Sequence, residues 1–272
     1  CVDQASATYT IYPGVVAAFA VDTIGCAPHN APFVNQSVGA VSYLWNFGNG
    51  QQSSETSPVH IFDAPFDTDV ELTVEMIATN MYGCTDTAYR VMHIMHTPQA
   101  IAQIDTVMGC YPANVVFYNG SIGADNFNWI YGTGQTSNTA DVYHEHEYVN
   151  VTNDLFTFNI TLQASTDFGC MSTDQLNLDV APQIEADFNS ISQGCSPLEV
   201  YFDNISDGGS NVSWDFGDGD ISNAYEPQHT FFNWGANDTT YAVSLVLYDS
   251  YGCSDTITRN VYVFANPVAG FE

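Results

Sequence analysis

Basic residues are almost absent from this sequence. Only two of its 272 residues are Lys or Arg, none is lysine, and 31 are Asp or Glu, which gives a formal net charge of −29. Because binding to a phosphate backbone requires clustered basic side chains, this balance argues against nucleic acid and anionic membranes as partners. The acidity itself has two interpretations: solubility in a salty, cation-rich medium, or defined Ca²⁺ sites.

Long apolar runs and catalytic motifs are also missing. There is no run of about 18 apolar residues, so the sequence predicts no membrane insertion. It contains no nucleophile elbow, phosphate loop or zinc-hydrolase helix, and the chain is predicted not to be an enzyme. Apolar and polar residues alternate without a competing stripe of helical period, which predicts an all-β fold.

A hexapeptide that occurs three times divides the chain. It reads WDFGDG at 214–219, WNFGNG at 45–50 and, in weaker form, WIYGTG at 129–134. The three tryptophans are 84 and 85 residues apart, a period that indicates an array of small domains. Within each copy, Trp and the aromatic residue two places later share one face of a strand, and Gly-x-Gly permits the chain reversal that follows.

The hexapeptide and the segment after it resemble a known family. PVHIF at 58–62 and PQHTF at 227–231 follow two of the copies. Trp-Asp-Phe-Gly-Asp-Gly followed by Pro-x-His-x-aromatic resembles the signature of the PKD domain, an immunoglobulin-like β-sandwich. The resemblance covers nearly the whole chain and implies tandem seven-stranded β-sandwiches joined end to end. The middle copy departs most, with Ile130 and Thr133 in its turn and 142–148 in place of the Pro-x-His segment.

The repeat register predicts the domain limits. Residues 1–13 would be the last strand of a preceding repeat, 14–98, 99–182 and 183–267 would be PKD-like repeats 1, 2 and 3, and 268–272 would begin a following repeat. The chain is therefore expected to belong to a longer tandem array whose neighbouring domains touch through short linkers. Strand A is predicted at 15–22, 100–106 and 184–189, strand B at 33–37, 115–121 and 200–206, and strand F at 72–79, 156–165 and 241–249.

The seven cysteines fall into two classes of position. The first class lies in turns between strands A and B, and the second lies at the hairpin between strands F and G. Regular recurrence without the short spacings of zinc ligands predicts disulfides in an oxidising compartment. The first class is Cys26, Cys110 and Cys195, and the second is Cys1, Cys84, Cys170 and Cys253.

Two pairing schemes are open. One joins the cysteines within each repeat: Cys26 with Cys84, Cys110 with Cys170, and Cys195 with Cys253. In an immunoglobulin-like sandwich, however, strands of about eight residues hold the two classes at opposite ends, roughly 25 Å apart, whereas a disulfide requires Cα atoms about 4.4 to 6.8 Å apart. Abutting ends of successive repeats favour Cys26 with Cys170 and Cys110 with Cys253. Cys1, Cys84 and Cys195 would then pair with repeats outside this sequence.

A Ca²⁺ site is one interpretation of the third hexapeptide. Asp215, Asp218 and Asp220 are spaced like ligands of a hard cation, which prefers several oxygens. The first copy keeps oxygen donors at lower charge, in Asn46, Asn49 and Gln51, and the middle copy largely loses them. The alternative is that these side chains cap the turn, since Asp and Asn are natural turn residues.

Histidines and one tryptophan complete the set of candidate residues. His60 and His229 match the scaffold histidine of the family, whereas His93 and His96 have no evident partner in the sequence. Trp234 lies in an unmatched aromatic stretch and is a candidate surface contact, for which carbohydrate stacking is one interpretation. Four Asp-Thr-aliphatic sequences look like O-glycosylation sites of gliding-type bacteria, although threonine is also common in strands: Thr23, Thr87, Thr106 and Thr256.

The repeats look like those in giant surface proteins of gliding bacteria exported through the type IX secretion system. That resemblance implies an extracellular, cell-surface segment that acts as the shaft of an adhesin or filament. Its expected partners are neighbouring repeats of the same chain, with lateral assembly into a homo-oligomeric fibre as a further hypothesis. The alternative is an accessory spacer or substrate-binding region of a secreted enzyme that degrades polysaccharide or protein.

Overall fold

The computed structural model describes residues 7–266, and in that range the chain consists of strands without a helix. Within the same residues, no helix has the length and apolarity needed to cross a bilayer. The all-β prediction is confirmed. Cys1 and the predicted segment 268–272 lie outside the described residues.

The strands come in three successive sets. The first is β1 Phe19–Ala20, β2 Ile24–Cys26, β3 His29–Pro32, β4 Val34–Asn35, β5 Ser42–Asn46, β6 Gln52–Ser53, β7 Val59–Phe62, β8 Val70–Thr79 and β9 Thr85–Met95. The second is β10 Ala102–Ile104, β11 Met108–Gly109, β12 Ala113–Asn119, β13 Asn126–Ile130, β14 Thr136–Ser137, β15 Tyr143–Tyr148, β16 Phe156–Ser165 and β17 Met171–Val180. The third is β18 Phe188–Asn189, β19 Gln193–Cys195, β20 Leu198–Tyr201, β21 Asp203–Asn204, β22 Asn211–Asp215, β23 Ile221–Ser222, β24 Gln228–Phe231, β25 Thr239–Tyr248 and β26 Ser254–Phe264.

Residue contacts divide the chain into two compact units, and the division passes through the second set of strands. Unit 1 takes the chain up to Gln103 together with Tyr118–Val142 and Ile160–Leu176. Unit 2 takes Ile104–Phe117, Tyr143–Asn159 and the chain from Asn177 onward. The repeat limits 14–98, 99–182 and 183–267 remain a prediction. For convenience, "repeat 1", "repeat 2" and "repeat 3" refer below to these segments.

In unit 1, repeat 1 forms a sandwich of one large and one small layer. The large sheet has the order β2-β9-β8-β5-β6, and the opposite layer consists of the pairs β3-β7 and β1-β4. β8 and β9 are antiparallel from Val70 opposite Ile94 to Thr79 opposite Thr85. Along β8, Val74, Met76 and Ala78 alternate with more exposed residues, because successive side chains of a strand point to opposite faces.

The same sheet order recurs in the other two sets. In unit 2, the large sheet of repeat 3 has the order β19-β26-β25-β22-β23, and the opposite layer consists of the pairs β20-β24 and β18-β21. In repeat 2 the two sheets have the orders β11-β17-β16-β13-β14 and β10-β12-β15. The fold is therefore a tandem series of immunoglobulin-like β-sandwiches, as predicted. One detail differs from the prediction: strand A is short and is followed by a second segment (β2, β11 or β19) that pairs in parallel with the last strand of its repeat.

The hexapeptide tryptophan lies at the centre of each well-defined core. Trp45 is fully buried against Phe19 and Phe33, with ring centroids 5.0 and 5.2 Å away. Its indole N–H donates to the carbonyl oxygen of Glu55 at 2.9 Å, which satisfies the one polar atom that the ring buries. Truncation of such a residue to Ala typically costs about 3–5 kcal/mol.

The glycine after the aromatic residue is required by the backbone. Gly48 has a φ of 81°, and a Cβ there would lie 2.6 Å from the carbonyl oxygen of Thr73. Gly217 has a φ of 77°, and its Cβ would lie 2.6 Å from the carbonyl oxygen of Ala242. A side chain is therefore excluded both by the left-handed conformation and by the close approach of β8 or β25.

Candidate functional site: the disulfide-linked ends of the repeats

The first class of cysteine lies at the end of a parallel strand. In unit 1, β2 pairs in parallel with β9, with Cys26 opposite Met95, so Cys26 is held at the end of the sheet from which the chain leaves repeat 1. The sequence analysis placed this cysteine in a turn between strands A and B, whereas it ends the short strand β2. The hydroxyl of Thr97, in the linker, donates to the carbonyl oxygen of Ala27, next to this cysteine.

The structure joins Cys26 to Cys170, the first of the two inter-repeat pairs favoured by the sequence. Cys170 is buried and begins the return from the hairpin between β16 and β17. The two Cα atoms are 5.5 Å apart and 144 residues apart in sequence. A loop of this length corresponds to about 5 kcal/mol of stabilisation in the chain-entropy account of disulfides.

A histidine forms a second bridge at the same place. The Nδ1 atom of His96 lies 2.6 Å from the Oδ1 atom of Asp69, in its own repeat, and its Nε2 atom lies 2.9 Å from the carbonyl oxygen of Gly123, in repeat 2. Both partners are acceptors. Only the imidazolium form can donate from both ring nitrogens at once, so this geometry matches the protonated ring.

The electrostatics agree with that assignment. The hydrogen bond to Asp69 raises the pKa of His96 above its usual value of 6.5, the Gly123 carbonyl and the charges of Asp69 and Asp125 act in the same direction, and partial burial opposes them. The pKa of Asp69 is lowered in turn, first because the backbone amide of His96 donates to it and then because the ring does. The sequence analysis found no partner for His96. The structure gives it two.

Backbone packing completes this junction. Gly123 has a φ of 74°, and a Cβ at this position would overlap the carbonyl oxygen of Phe66 in repeat 1. Phe168, at the tip of the β16–β17 hairpin, lines a shallow groove together with Ile24 and His93. Repeat 1 therefore meets repeat 2 through a disulfide, a charged hydrogen bond and a close backbone approach.

Unit 2 contains a second junction of the same kind. Cys110 is joined to Cys253, the second favoured pair, with Cα atoms 5.6 Å apart and a separation of 143 residues. The segment Asn150–Asn153, after β15, lines a groove with Gln183, Glu185 and Asp207. The strand register places Pro182 at the position of His96, and Asn150 donates to the carbonyl oxygen of Val180, in its own repeat, at 2.8 Å. The covalent bridge is common to both junctions, and the imidazole bridge belongs to the first.

Two described cysteines have no disulfide. Cys195 ends β19, opposite Phe264 of β26, and is exposed, and Cys84 lies half-buried at the hairpin between β8 and β9. Cys195 thus occupies the place of Cys26 and Cys110, and Cys84 occupies the place of Cys170 and Cys253. Their pairing with further repeats stays a prediction, and Cys1 lies outside the described residues.

The candidate Ca²⁺ ligands cap their turn. Asp215 accepts a hydrogen bond from the amide of Gly217 at 2.9 Å, and Asp218 accepts one from the amide of Asp220 at 3.1 Å. In repeat 1 the amide side chains of Asn46 and Asn49 do the same. Donor atoms of Asp218, Asp220 and His229 lie within 4.8 Å of one another, close enough for a shared cation. The Ca²⁺ site at Asp215, Asp218 and Asp220 stays a prediction.

The scaffold histidine stacks on the turn aromatic. His229 lies flat on Phe216, with ring centroids 4.1 Å apart, and its Nε2 donates to Asp218 at 2.7 Å. His60 stacks on Phe47 at 3.9 Å, and here Asn49 donates to Nε2 at 3.1 Å. Both repeats therefore keep a hydrogen bond to this histidine, which donates to Asp218 in repeat 3 and accepts from Asn49 in repeat 1. The histidine is a structural element of the turn in both.

Repeat 2 keeps this histidine despite its divergent sequence. His146 meets Tyr148 edge-on at 4.8 Å and 79°, as His229 meets Phe231 at 4.7 Å and 83°. Burial lowers the pKa of His146, the neighbouring His144 adds to this, and Glu147 opposes it. The sequence analysis treated 142–148 as a replacement of the Pro-x-His segment, whereas the structure aligns His146 with His60.

The two basic residues occupy equivalent positions. Arg90 lies over the ring of Phe19, with its Cζ 5.5 Å from the centroid, and Arg259 lies over Phe188 at 5.0 Å. Arg259 also forms an ion pair with Asp187 at 2.7 Å. Both guanidinium groups thus cover a core aromatic residue of strand A.

The four candidate glycosylation sites differ in exposure. Thr256, in β26, is exposed, whereas Thr23, Thr87 and Thr106 are half-buried. The hydroxyl of Thr106 donates to the carbonyl oxygen of Met108 at 2.6 Å. Glycosylation at these threonines stays a prediction.

Comparisons with known proteins give a family match and several similar solved structures. Residues 179–264 match the PKD domain family. Among solved structures, the chain is similar to the PKD1 domain of Vibrio anguillarum Epp, with 31% identity over 31% of this chain and 96% of that domain at a TM-score of 0.26. It is also similar to the PKD1 domain of the Vibrio cholerae metalloprotease PrtV. The identity is 28% over 30% of this chain and 99% of that domain, at a TM-score of 0.26. A solved chain from a structural study of a 1.5-MDa bacterial ice-binding adhesin is 12% identical, with 94% of this chain and 100% of that solved chain covered at a TM-score of 0.31. A search of curated proteins gave no significant match.

Sandwich topology and cross-linked ends together define the class of the protein. It is an extracellular structural or binding module built from tandem immunoglobulin-like domains, a type that is typically non-catalytic. Within that class, the hexapeptide and the match at 179–264 make it a PKD-type repeat protein.

Proposed function

We propose that this chain is a load-bearing spacer, the shaft of a long adhesin or filament at a cell surface. The observation that carries the proposal is the disulfide between successive repeats, Cys26 to Cys170. A protein that only needed stable domains would gain as much from bridges within each repeat. A bridge across a junction instead fixes one repeat against the next, which is what transmission of force along an array requires.

Strand geometry supports the same role. β8 is ten residues long and pairs over its full length with the eleven-residue β9. Tension applied along such a sandwich loads many backbone hydrogen bonds together. The acidic surface favours solubility in a salty, cation-rich medium at the cell exterior.

Force spectroscopy on the oxidised and reduced protein tests the mechanical proposal. With the chain held at its two ends, the oxidised form is expected to release much less contour length than the reduced form, because both bridges shield folded chain from tension. The matched control is a variant in which Cys26, Cys170, Cys110 and Cys253 are all Ala, whose traces should not respond to reductant. Equal contour lengths in oxidised and reduced protein would contradict the proposal.

The finer assignment follows from the resemblance to surface proteins of gliding bacteria. We propose export through the type IX secretion system, a role in gliding or adhesion, and lateral association of shafts into a fibre. Sedimentation at high protein concentration in near-marine salt tests the fibre, and monomer throughout would argue against it. A catalytic domain in the same polypeptide would favour the accessory region of a secreted enzyme instead.

A further inference from the structure

The end of repeat 3 carries the parts of a junction without its partner. Cys195 ends β19, parallel to β26, in the position that Cys26 holds at the end of β2 beside β9. Asp238 accepts a hydrogen bond from the backbone amide of Ala265 at 2.9 Å, just as Asp69 accepts one from the amide of His96 at 2.8 Å. The local framework of the first junction is therefore repeated at this end.

An exposed aromatic pair lies in the segment that contacts the next repeat elsewhere in the chain. After β7, Ala64 and Phe66 line a groove together with Ser172 of repeat 2. After β15, the segment Asn150–Asn153 faces Glu185 of repeat 3 in the same way. In both cases, the residues that follow this strand line a groove shared with the following repeat.

The corresponding segment after β24 presents Phe232 and Trp234. Their rings are stacked 5.3 Å apart at 3°, and Trp234 is 88% exposed. A stacked, rigid aromatic pair of this exposure is typical of a contact surface, because burial of such rings dominates interface energetics. We name Cys195, Phe232 and Trp234 together the exit face.

The complementary surface lies on the hairpin side of repeat 1. Cys84 lies in the hairpin after β8, the position of Cys170 and Cys253, and is not in a disulfide. Gly39, with a φ of 80°, lies in the loop that corresponds to the one containing Gly123. Tyr82, at the hairpin tip, takes the place of Phe168; one face of its ring stacks on Tyr12 at 4.3 Å, and the residue is 49% exposed. Cys84, Gly39 and Tyr82 together form the hairpin face.

We propose that the exit face binds the hairpin face of another PKD-type repeat, and that Cys195 forms a disulfide with the hairpin cysteine of that repeat. A second copy of this chain presents such a face at Cys84. This deepens the shaft function proposed above, since it names the partner that continues the array. The two thiols form one S–S bond, and their two protons and two electrons pass to a small-molecule disulfide, which leaves as two thiols.

The test uses two variants of the chain in a buffer of reduced and oxidised glutathione. One carries Cys1→Ser and Cys84→Ser, so that Cys195 is its free thiol, and the other carries Cys1→Ser and Cys195→Ser, so that Cys84 is. Mixed together, they are expected to form a heterodimer at least tenfold faster than either forms a homodimer, and peptide mapping should find Cys195 linked to Cys84. Homodimers that form as fast as the heterodimer would overturn the proposal.

A substitution in the aromatic pair tests recognition separately from thiol chemistry. Trp234→Ala is expected to slow heterodimer formation about tenfold, as expected for loss of an interface aromatic anchor. Tyr201→Ala removes another exposed aromatic residue, on β20, and should leave the rate unchanged. Equal rates for Trp234→Ala and the parent would overturn the exit face. Such a failure would leave the bridges Cys26–Cys170 and Cys110–Cys253, and with them the shaft proposal, untouched.

Discussion

The imidazole bridge of unit 1 predicts that the first junction weakens as pH rises through neutrality. His96 is 19% exposed and Asp69 is 49% exposed. A hydrogen bond between charged groups contributes about 1.5–3 kcal/mol, and the half-exposed carboxylate reduces this by solvent screening to about 1–2 kcal/mol. Loss of the proton from His96 should remove about that amount from the free energy of separating the two repeats.

The pH window follows from the direction of the two pKa shifts. The pKa of His96 is raised from 6.5, so its contribution is complete below 6.5 and is lost as pH rises through the folded-state pKa. The pKa of Asp69 is lowered from 3.8, so its contribution is complete above 3.8 and is lost as pH falls through the folded-state pKa. The junction is therefore strongest between these two values.

Nuclear magnetic resonance titration of the imidazole nitrogens measures this directly. His96 should titrate above 6.5, with both nitrogens protonated at pH 6, and Asp69→Asn should move its pKa down towards the usual value. Glu71→Gln is the matched control, since Glu71 lies beside His93 and not His96. The reasoning is refuted if His96 titrates at or below 6.5, or if Asp69→Asn leaves its pKa unchanged.

Three further experiments test the packing by substitution. Gly123→Ala should lower the free energy of unfolding by about 1–3 kcal/mol more than Gly134→Ala, because both glycines adopt positive φ but, of the two, a Cβ meets other atoms only at Gly123. Urea denaturation compares the two variants, and equal losses of stability would contradict the junction contact. His229→Ala should lower the free energy of unfolding by about 2 kcal/mol through lost stacking and hydrogen bonding. Asp218→Asn should lower it by less than about 1 kcal/mol, because an amide fills this role in repeat 1. Thermal melting with and without Ca²⁺ measures both, and a Ca²⁺-induced rise in melting temperature that is present in the parent but absent from Asp218→Asn would support the predicted cation site. Arg259→Ala should cost about 1 kcal/mol, since it removes an exposed ion pair and a cation–π contact, and calorimetry that detected no change would exclude a stabilising role.

The fold could be predicted from the sequence because its signals are local. Trp, an aromatic residue two places later and Gly-x-Gly specify one face of a strand and the turn that ends it, and strand F was predicted at 156–165, as observed in β16. Strand A was predicted too long: of the predicted 15–22, only Phe19–Ala20 forms a strand. Whether a segment pairs with one strand or switches to another depends on partners distant in sequence.

The same distinction explains which parts of the site were missed. The cysteine pairs favoured by the sequence required only the knowledge that the two classes lie at opposite ends of a sandwich. His96 was missed because its acceptors, Asp69 and Gly123, each lie 27 residues away in sequence. His146 was missed because the proline that marks its counterparts is absent. A search for histidine two residues before an aromatic residue at each repeat would have found it.

The two disulfides also determine what a single break in the chain can do. From Cys26 to Cys253 there are two covalent routes: one crosses to Cys170 and follows 83 residues, and the other follows 84 residues to Cys110 and then crosses. The stretch between Cys110 and Cys170 is a covalent connection between these two routes, because Cys110 lies on one and Cys170 on the other. Cleavage of any one peptide bond between Cys26 and Cys253 therefore leaves an unbroken covalent path between the two ends. A protein exposed to proteases outside the cell could be nicked there once and still remain in one piece.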